Sequence, residues 1–567
     1  MMCGMRWKTR CCAICLSLTL QGSLWAAIDP HPTFPEGVGI DIHTAALKPG
    51  ELEMLAATGV RWVRMDLAWE WTEPKKGEYY FKAYDQLMDA LQKANIRAIL
   101  ILDYNNKFYD NGESPHSPEG QAAFARWAAA GVSHFSGRGV IWEMWNEPNG
   151  PHYWHPKENV HDYISLAQKV GQAIEQAAPG ETFVGPATAG FDFAFQQACY
   201  QGGLLKYWSA VTVHAYRPTP PENVSGYFQR LRNLIAQYAP PGKQIPIIVS
   251  EWGYPFPGGS IDMETQAKYL PRMWLTDLSN GSPLSIWYDW FDPHSASPWD
   301  MVSGPYNGSR DPVYQPKPAY EAAKTVTSVL NGYRFEKRLS VGSPQDYVLA
   351  FSNGSETRYA VWSASSSPHP VKIPVSGGVF GVTSYTGQQG PALAAGPGGL
   401  SIVLTDAPQY LQPGGGSAKL PGAAPAKSAA PASRAKSAAP TAPSANLTRQ
   451  QAEALNLAWK NLARAYQDVM TMGPDSRGAT AKLRNAVGAA IHELRTVDPE
   501  LTEASALQAQ DAGKTRSDVS GAVREHLDLA RKYVAESRVR NPSTQRAMGQ
   551  IMFAYAYLRA ADTGRTR

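Results

Sequence analysis

Two short segments place a carboxylate where it could break a bond. Val140-Ile141-Trp142-Glu143-Met144-Trp145-Asn146-Glu147-Pro148-Asn149 reads as an apolar strand that ends on Asn146-Glu147, with Pro148 stopping it. Far downstream, Ile247-Ile248-Val249-Ser250-Glu251-Trp252-Gly253 repeats the plan: an apolar strand, a carboxylate at its end, then an aromatic. Taken alone, a strand-end glutamate is more often half of an ion pair with Lys or Arg than a catalyst. Two of them, if the fold aims both at one centre, can flank a single bond. Glycoside hydrolysis requires that arrangement, with one carboxyl protonated to meet the leaving oxygen and the other ionised beside the anomeric carbon. Mutual repulsion and unequal burial separate the proton affinities of two such acids, so both can serve at one pH.

The elements around them predict how the two could meet. From residue 37 to about 330, apolar runs alternate with amphipathic segments. The runs are Val38–His43, Val60–Asp66, Ile96–Asp103, Val140–Glu147, Thr182–Ala187, Ala210–Tyr216, Ile245–Glu251 and Leu284–Trp290. Helices are expected over Phe81–Ala94, Gly120–Phe135, His161–Ala178, Tyr227–Tyr238 and Glu264–Leu278. Eight strands, most separated by a helix, predict an α/β protein built on a parallel (β/α)₈ barrel. An open doubly wound sheet would want a Gly-rich phosphate turn after its first strand, and none is present. In the barrel, Glu147 ends strand four and Glu251 ends strand seven, at the face where active sites form.

The rest of the chain divides by composition. Residues 1–27 read as a signal peptide: Arg6, Lys8 and Arg10 precede the apolar stretch Cys11 to Leu20, and Ala26 and Ala27 offer a cleavage site. The barrel is expected over 28–332 and a small antiparallel β-domain over 333–411, with strands at Tyr347–Phe351, Arg358–Ala364, Val371–Val375, Gly381–Thr386 and Leu400–Thr405. Residues 412–446 are rich in Ala, Pro and Ser with scattered Lys and Arg, and read as a disordered linker. Residues 447–567 carry apolar stripes at helical spacing, such as Leu455, Trp459, Leu462 and Tyr466, and read as a helical bundle. Removal of the first segment takes away four of the five cysteines and leaves Cys199 without a disulfide partner. The mature protein is therefore expected outside the cytoplasm, in the periplasm or beyond the cell.

Charge divides along the same lines. Residues 28–411 hold 28 basic against 36 acidic side chains, whereas linker and bundle together carry a net +9. An acidic main body argues against nucleic acid as the partner, because binding phosphates needs a basic footprint. The basic tail suggests an electrostatic attachment to the envelope, or a protein partner in polysaccharide synthesis or export.

Trp145-Asn146-Glu147-Pro148-Asn149, His214-Ala215-Tyr216 and Ser250-Glu251-Trp252-Gly253 resemble clan A glycoside hydrolases. Within the clan they look most like family 39 and its relatives that cut bacterial exopolysaccharide. Asn-Glu-Pro arises by chance about once per ten thousand positions, so its place at the end of an apolar strand is informative. The resemblance spans the barrel and the β-domain after it. It implies a retaining mechanism with Glu147 as acid/base and Glu251 as nucleophile. It further implies that Asn146 binds the sugar 2-hydroxyl, that Arg64 keeps the nucleophile ionised, and that His214 and Tyr216 touch nucleophile and substrate. The lesser alternative is that Arg64 is a structural ion-pair partner of Asp66 or Glu70. Trp290 or Trp287 would be the sugar platform. Trp69, Trp71, Tyr104, Trp154, Trp252 and Trp299 fall after strands and predict a long aromatic groove, hence an endo-acting enzyme on a polysaccharide.

Other chemistries find less support. His152, His155 and His161 lack a zinc-binding frame, Gly513-Lys514-Thr515 lacks the earlier glycine of a phosphate loop, and the barrel has no Gly-x-Ser-x-Gly. No metal or cofactor is expected. A non-catalytic polysaccharide-binding or scaffold protein is the alternative, but such a protein has no need of a proton donor.

Overall fold

The structure is a computed structural model that describes residues 28–255, 261–291, 299–365 and 367–414. The expected signal peptide and helical bundle lie outside the described residues, as does the linker beyond residue 414.

Eight parallel strands close into a barrel in chain order. They are β1 (Val38–Asp41), β2 (Trp62–Ala68), β3 (Arg97–Asp103), β4 (Ile141–Met144), β5 (Thr182–Ala189), β6 (Ala210–His214), β7 (Ile247–Trp252) and β8 (Ser285–Trp287). β8 closes on β1 through Val38↔Ser285 and Ile40↔Trp287. Helices Glu51–Ala56, Lys82–Lys93, Pro118–His134, Val160–Ala177, Phe193–Gln201, Ser225–Tyr238, Met263–Ser279 and Pro318–Val329 wrap the outside. The longer ones start on side-chain caps: Ser117 accepts from the Gly120 amide at 3.0 Å with Pro118 in the first turn, and Asp262 accepts from the Thr265 amide at 2.7 Å.

Buried on both faces, the strands read as nearly continuous apolar runs, which is why their sequence pattern is legible. Below the catalytic end, Trp62, Ile99, Ile141, Val184, Ala210, Ile248 and Ile286 fill the barrel. Gly39 is required there, since a Cβ would sit 2.5 Å from Ile286 Cδ1 and 2.6 Å from the Trp62 carbonyl. Above this plug, inward-pointing residues become charged, and the upper barrel is a site rather than a core.

One irregularity aims the second glutamate. β6 pairs with β7 as Val213↔Val249 and then His214↔Glu251, so β7 carries one extra residue. This bulge breaks the two-residue alternation after Ile248 and turns Glu251 inward, leaving Trp252 on the outer face against the helices.

After the barrel, a six-stranded antiparallel sheet and a two-stranded one pack around Val348, Val361, Ile373, Phe380, Leu400 and Leu411. Three of its strands escape the sequence pattern: Arg334–Arg338 and Gln389–Ala394, largely exposed, and Gln409–Pro413. The last runs past the expected boundary at 411.

Candidate active site

Arg64, on β2 and 1% exposed, organises the site. A guanidinium has five N–H donors in a fixed fork, and here every one meets an acceptor. Nε donates to Glu143 at 2.7 Å; Nη1 donates to Asp41 and to Glu251, each at 2.8 Å; Nη2 donates to Asn146 Oδ1 at 2.8 Å and faces His214 Nε2 at 3.2 Å. β1, β2, β4, β6 and β7 are thus tied to one cation. Asp66 and Glu70, the alternative partners, take no hydrogen bond from it.

Several hydrogen atoms can be placed from this saturation. Because Nη2 can only donate, Nε2 of His214 must accept, so the neutral ring carries its proton on Nδ1. Nδ1 lies 2.9 Å from Glu147 Oε1 and 3.6 Å from Glu251 Oε2. Burial opposes charging this ring, but the Glu251 charge and the Glu147 hydrogen bond outweigh it and raise its proton affinity. Asn146 spends its Oδ1 on Arg64, which leaves its NH₂ as the group able to donate elsewhere.

Glu251 is held at both oxygens, Oε2 by Arg64 and Oε1 by the Tyr216 hydroxyl at 2.5 Å. Burial and the adjacent carboxylate push the Tyr216 phenol well above its ordinary range, so it remains a donor. Glu147 follows β4 through a strained turn: Trp145 and Glu147 have φ of 65° and 45°, in the left-handed region that L-residues avoid. Its amide donates to the Ala187 carbonyl at 3.0 Å, and Asn149 braces the loop by accepting from the Ala189 amide at 2.9 Å. Carboxylate oxygens of Glu147 and Glu251 come within 4.8 Å of each other, with His214 in the same group. A cation drawn to these three would meet the Arg64 guanidinium 2.8 Å from Glu251, which disfavours a metal there.

Further carboxylates surround the centre. Burial pushes Asp41 up to about 7 against the pull of Arg64. Glu143 is held low: burial opposes its charge, and Arg64 and His214 prevail. Burial raises Asp66, and burial together with the Asp66 charge raises Asp103 well above the ordinary carboxylate range. Asp41, Glu143 and Asp103 were missed in the sequence, although each is a charge within or at the end of an apolar strand run.

The aromatic expectations need correction. Trp252, Trp287 and Trp290 are at most 1% exposed and leave no ring face for a sugar. Trp252 pairs with Trp287 on the outer face of the barrel, as alternation from inward Ile286 requires, and Trp290 donates its Nε1 to Glu51 at 3.1 Å. Trp69 and Trp154 are likewise buried, so Trp71, Tyr104 and Trp299 are what remain of the long aromatic groove. Alternation from Ile286 instead turns Tyr288 to the mouth, half-buried and edge-on to Tyr216 at 6.4 Å and Trp299 at 5.8 Å. Tyr104 stacks on exposed Tyr153 at 6.0 Å on the Glu147 side.

Residues 50–290 match the cellulase family, glycosyl hydrolase family 5. With the closed barrel and two glutamates at the ends of β4 and β7, they define the protein as a clan A glycoside hydrolase. Solved structures of family 39 enzymes are similar to the chain. A family 39 glycoside hydrolase from the gut symbiont Bacteroides cellulosilyticus WH2 is 25% identical, with a TM-score of 0.57 over 68% of this chain and 81% of its own. A family 39 β-xylosidase from Caulobacter crescentus shares the fold at 19% identity, with a TM-score of 0.51 over 68% of this chain and 97% of its own. No curated protein sequence matches the chain. Among the described residues no helix is long and apolar enough to cross a membrane.

Proposed function

We propose that the protein is an exported, retaining endo-glycosidase acting on a polysaccharide, with Glu251 as nucleophile and Glu147 as acid/base. The observation that carries this reading is the approach of the two carboxylates to within 4.8 Å. Retaining enzymes hold their carboxyl groups about 5–5.5 Å apart, whereas inverting ones leave about 6.5–9.5 Å for a water.

The surroundings support the division of labour. Glu251 receives a charged donor and a phenol, which fix its direction. Glu147 receives only the His214 N–H, and its side chain is the more exposed at 16% against 11%, so Oε2 is free to carry a proton toward a leaving oxygen. In the first step Glu251 bonds to the anomeric carbon, the glycosidic C–O bond breaks, and the Glu147 proton passes to the departing oxygen. The His214 N–H then stabilises the carboxylate left on Glu147. In the second step Glu147 removes a proton from water, the water oxygen bonds to the anomeric carbon, and Glu251 departs. Asn146, fixed by Arg64, would donate to the 2-hydroxyl, and Tyr288 would offer the platform expected of a tryptophan.

Export is supported by the N-terminal segment, and a neutral or cationic polymer, such as a bacterial exopolysaccharide, by the acidic body. The basic C-terminal segment would attach the enzyme to an anionic envelope surface or a protein partner. The test is reducing-end release from a panel of polysaccharides by the wild type, E147Q and E251Q. Release lost in both variants is the expected result; release retained in both defeats the mechanism.

A further inference from the structure

A second concavity opens on the catalytic face beside the reaction centre. Its volume is about 460 Å³, within the range of small-molecule sites, and its wall includes His43, Trp71, Tyr80, Tyr84, Phe291 and Tyr314. Trp71 is 69% exposed and Tyr80 52%, the two most exposed large aromatic side chains among the described residues. They are held together, since the Tyr80 amide donates to the Thr72 carbonyl at 2.8 Å. Phe291 and Tyr314, also in the wall, pack at a tilt of 36° with ring centroids 4.6 Å apart. Open aromatic faces with polar groups beside them suit flat ligands with polar edges.

A short chain of side-chain contacts links the cavity wall to the catalytic centre. His43, in its wall, contacts Asp289 at 2.9 Å and stands edge-on to Tyr288 at 5.3 Å. Tyr288 in turn meets Tyr216, which holds Glu251. The direction follows from the double-displacement reading, on which this inference rests. Glu147 protonates the leaving oxygen from the end of β4, so the leaving chain departs over that rim. β4 and β8 lie opposite each other in the closed order, and the cavity is walled by the loops after β1, β2 and β8.

We propose that this cavity is a distal binding site for the retained, non-reducing part of a polysaccharide, with Trp71 and Tyr80 as sugar platforms beyond the reacting residue. The enzyme then holds several consecutive sugars on the retained side.

The experiment uses full-length protein with Trp71→Ala and Tyr80→Ala combined. It compares the 2,4-dinitrophenyl glycoside with the linear hexasaccharide of whichever of xylose, glucose or mannose the parent enzyme turns over. The aryl glycoside fills only the reacting position, while the hexasaccharide must lie along the cleft. Loss of two stacking rings is expected to lower kcat/KM on the hexasaccharide by about tenfold more than on the aryl glycoside. Equal losses on the two substrates, or no loss on the hexasaccharide, overturn the proposal. Retained turnover in E147Q and E251Q would instead strike the double-displacement reading, so the two failures are distinguishable.

Discussion

Two buried arginines show how similar ingredients serve different ends. Arg272, on helix Met263–Ser279, binds Glu222 through two parallel hydrogen bonds of 2.6 and 2.7 Å. Glu222 also accepts from Trp362 Nε1 at 2.6 Å, and Arg272 donates to the Asp406 carbonyl at 3.1 Å, so the pair rivets the barrel to the sheet that follows. One cation faces one carboxylate, and both side chains are 3% exposed. Arg64 is as deeply buried, yet it contacts Asp41, Glu143 and Glu251 at once. Its surplus of negative charge is met only by proton uptake, and the Glu251 charge raises the proton affinity of His214 against burial. A balanced pair closes a joint, while an excess of carboxylates around one cation leaves groups whose proton occupancy can change and whose charge can meet a developing oxocarbenium ion.

Substitutions can break this contrast, and the largest effect belongs to the glutamates. Glu147→Gln is expected to lower kcat by about 10²–10⁴-fold, with the smaller loss on substrates whose leaving group needs no proton, read by comparing aryl glycosides of graded leaving-group acidity. Arg64→Met leaves its three carboxylates uncompensated and should cost about 3–5 kcal/mol in denaturant unfolding as well as activity. Arg272→Met should destabilise by a similar amount, because it also strands a buried charge. The two sites part in the next variant: Glu222→Met with Arg272→Met should recover much of that stability, whereas no single partner substitution rescues Arg64→Met. Stability recovered at Arg64 by removing Asp41 alone would erase the distinction.

The smallest effect is one of pH. Burial pushes Asp277 up to about 8 and Asp41 to about 7, both from near 3.8. A carboxyl raised on folding binds its proton more tightly in the native state, so it stabilises the fold at low pH. That contribution is lost as pH rises from about 4 through these values. Tm should therefore decline over this window in the wild type and less steeply in Asp277→Asn, whose amide keeps a neutral partner for Ser285, now 2.7 Å from Asp277. An unchanged slope in that variant would contradict the shift.

How much was legible follows from the same physics. All eight barrel strands show as apolar runs because they are buried on both faces, and Glu147 and Glu251 stand out as charges at the ends of two of them. The one-residue bulge in β7 leaves no mark in the spacing, so the outward turn of Trp252 and the inward turn of Glu251 could not be read. Trp287 was misread by favouring the larger aromatic over the two-residue alternation that selects Tyr288. Asp41 and Glu143 were passed over because a charge within an apolar run was treated as incidental, although inside a barrel it has to find a partner. Arg334–Arg338 and Gln389–Ala394 lack alternation because they are largely exposed along their length.

The assignment of the two glutamates is tested most directly by azide rescue of Glu251→Ala, on the aryl glycoside that the parent enzyme turns over. With no carboxylate below the anomeric carbon, azide enters from that vacated side, and the account predicts a glycosyl azide of inverted configuration by NMR. An azide product of retained configuration would make Glu251 the acid/base and contradict the account.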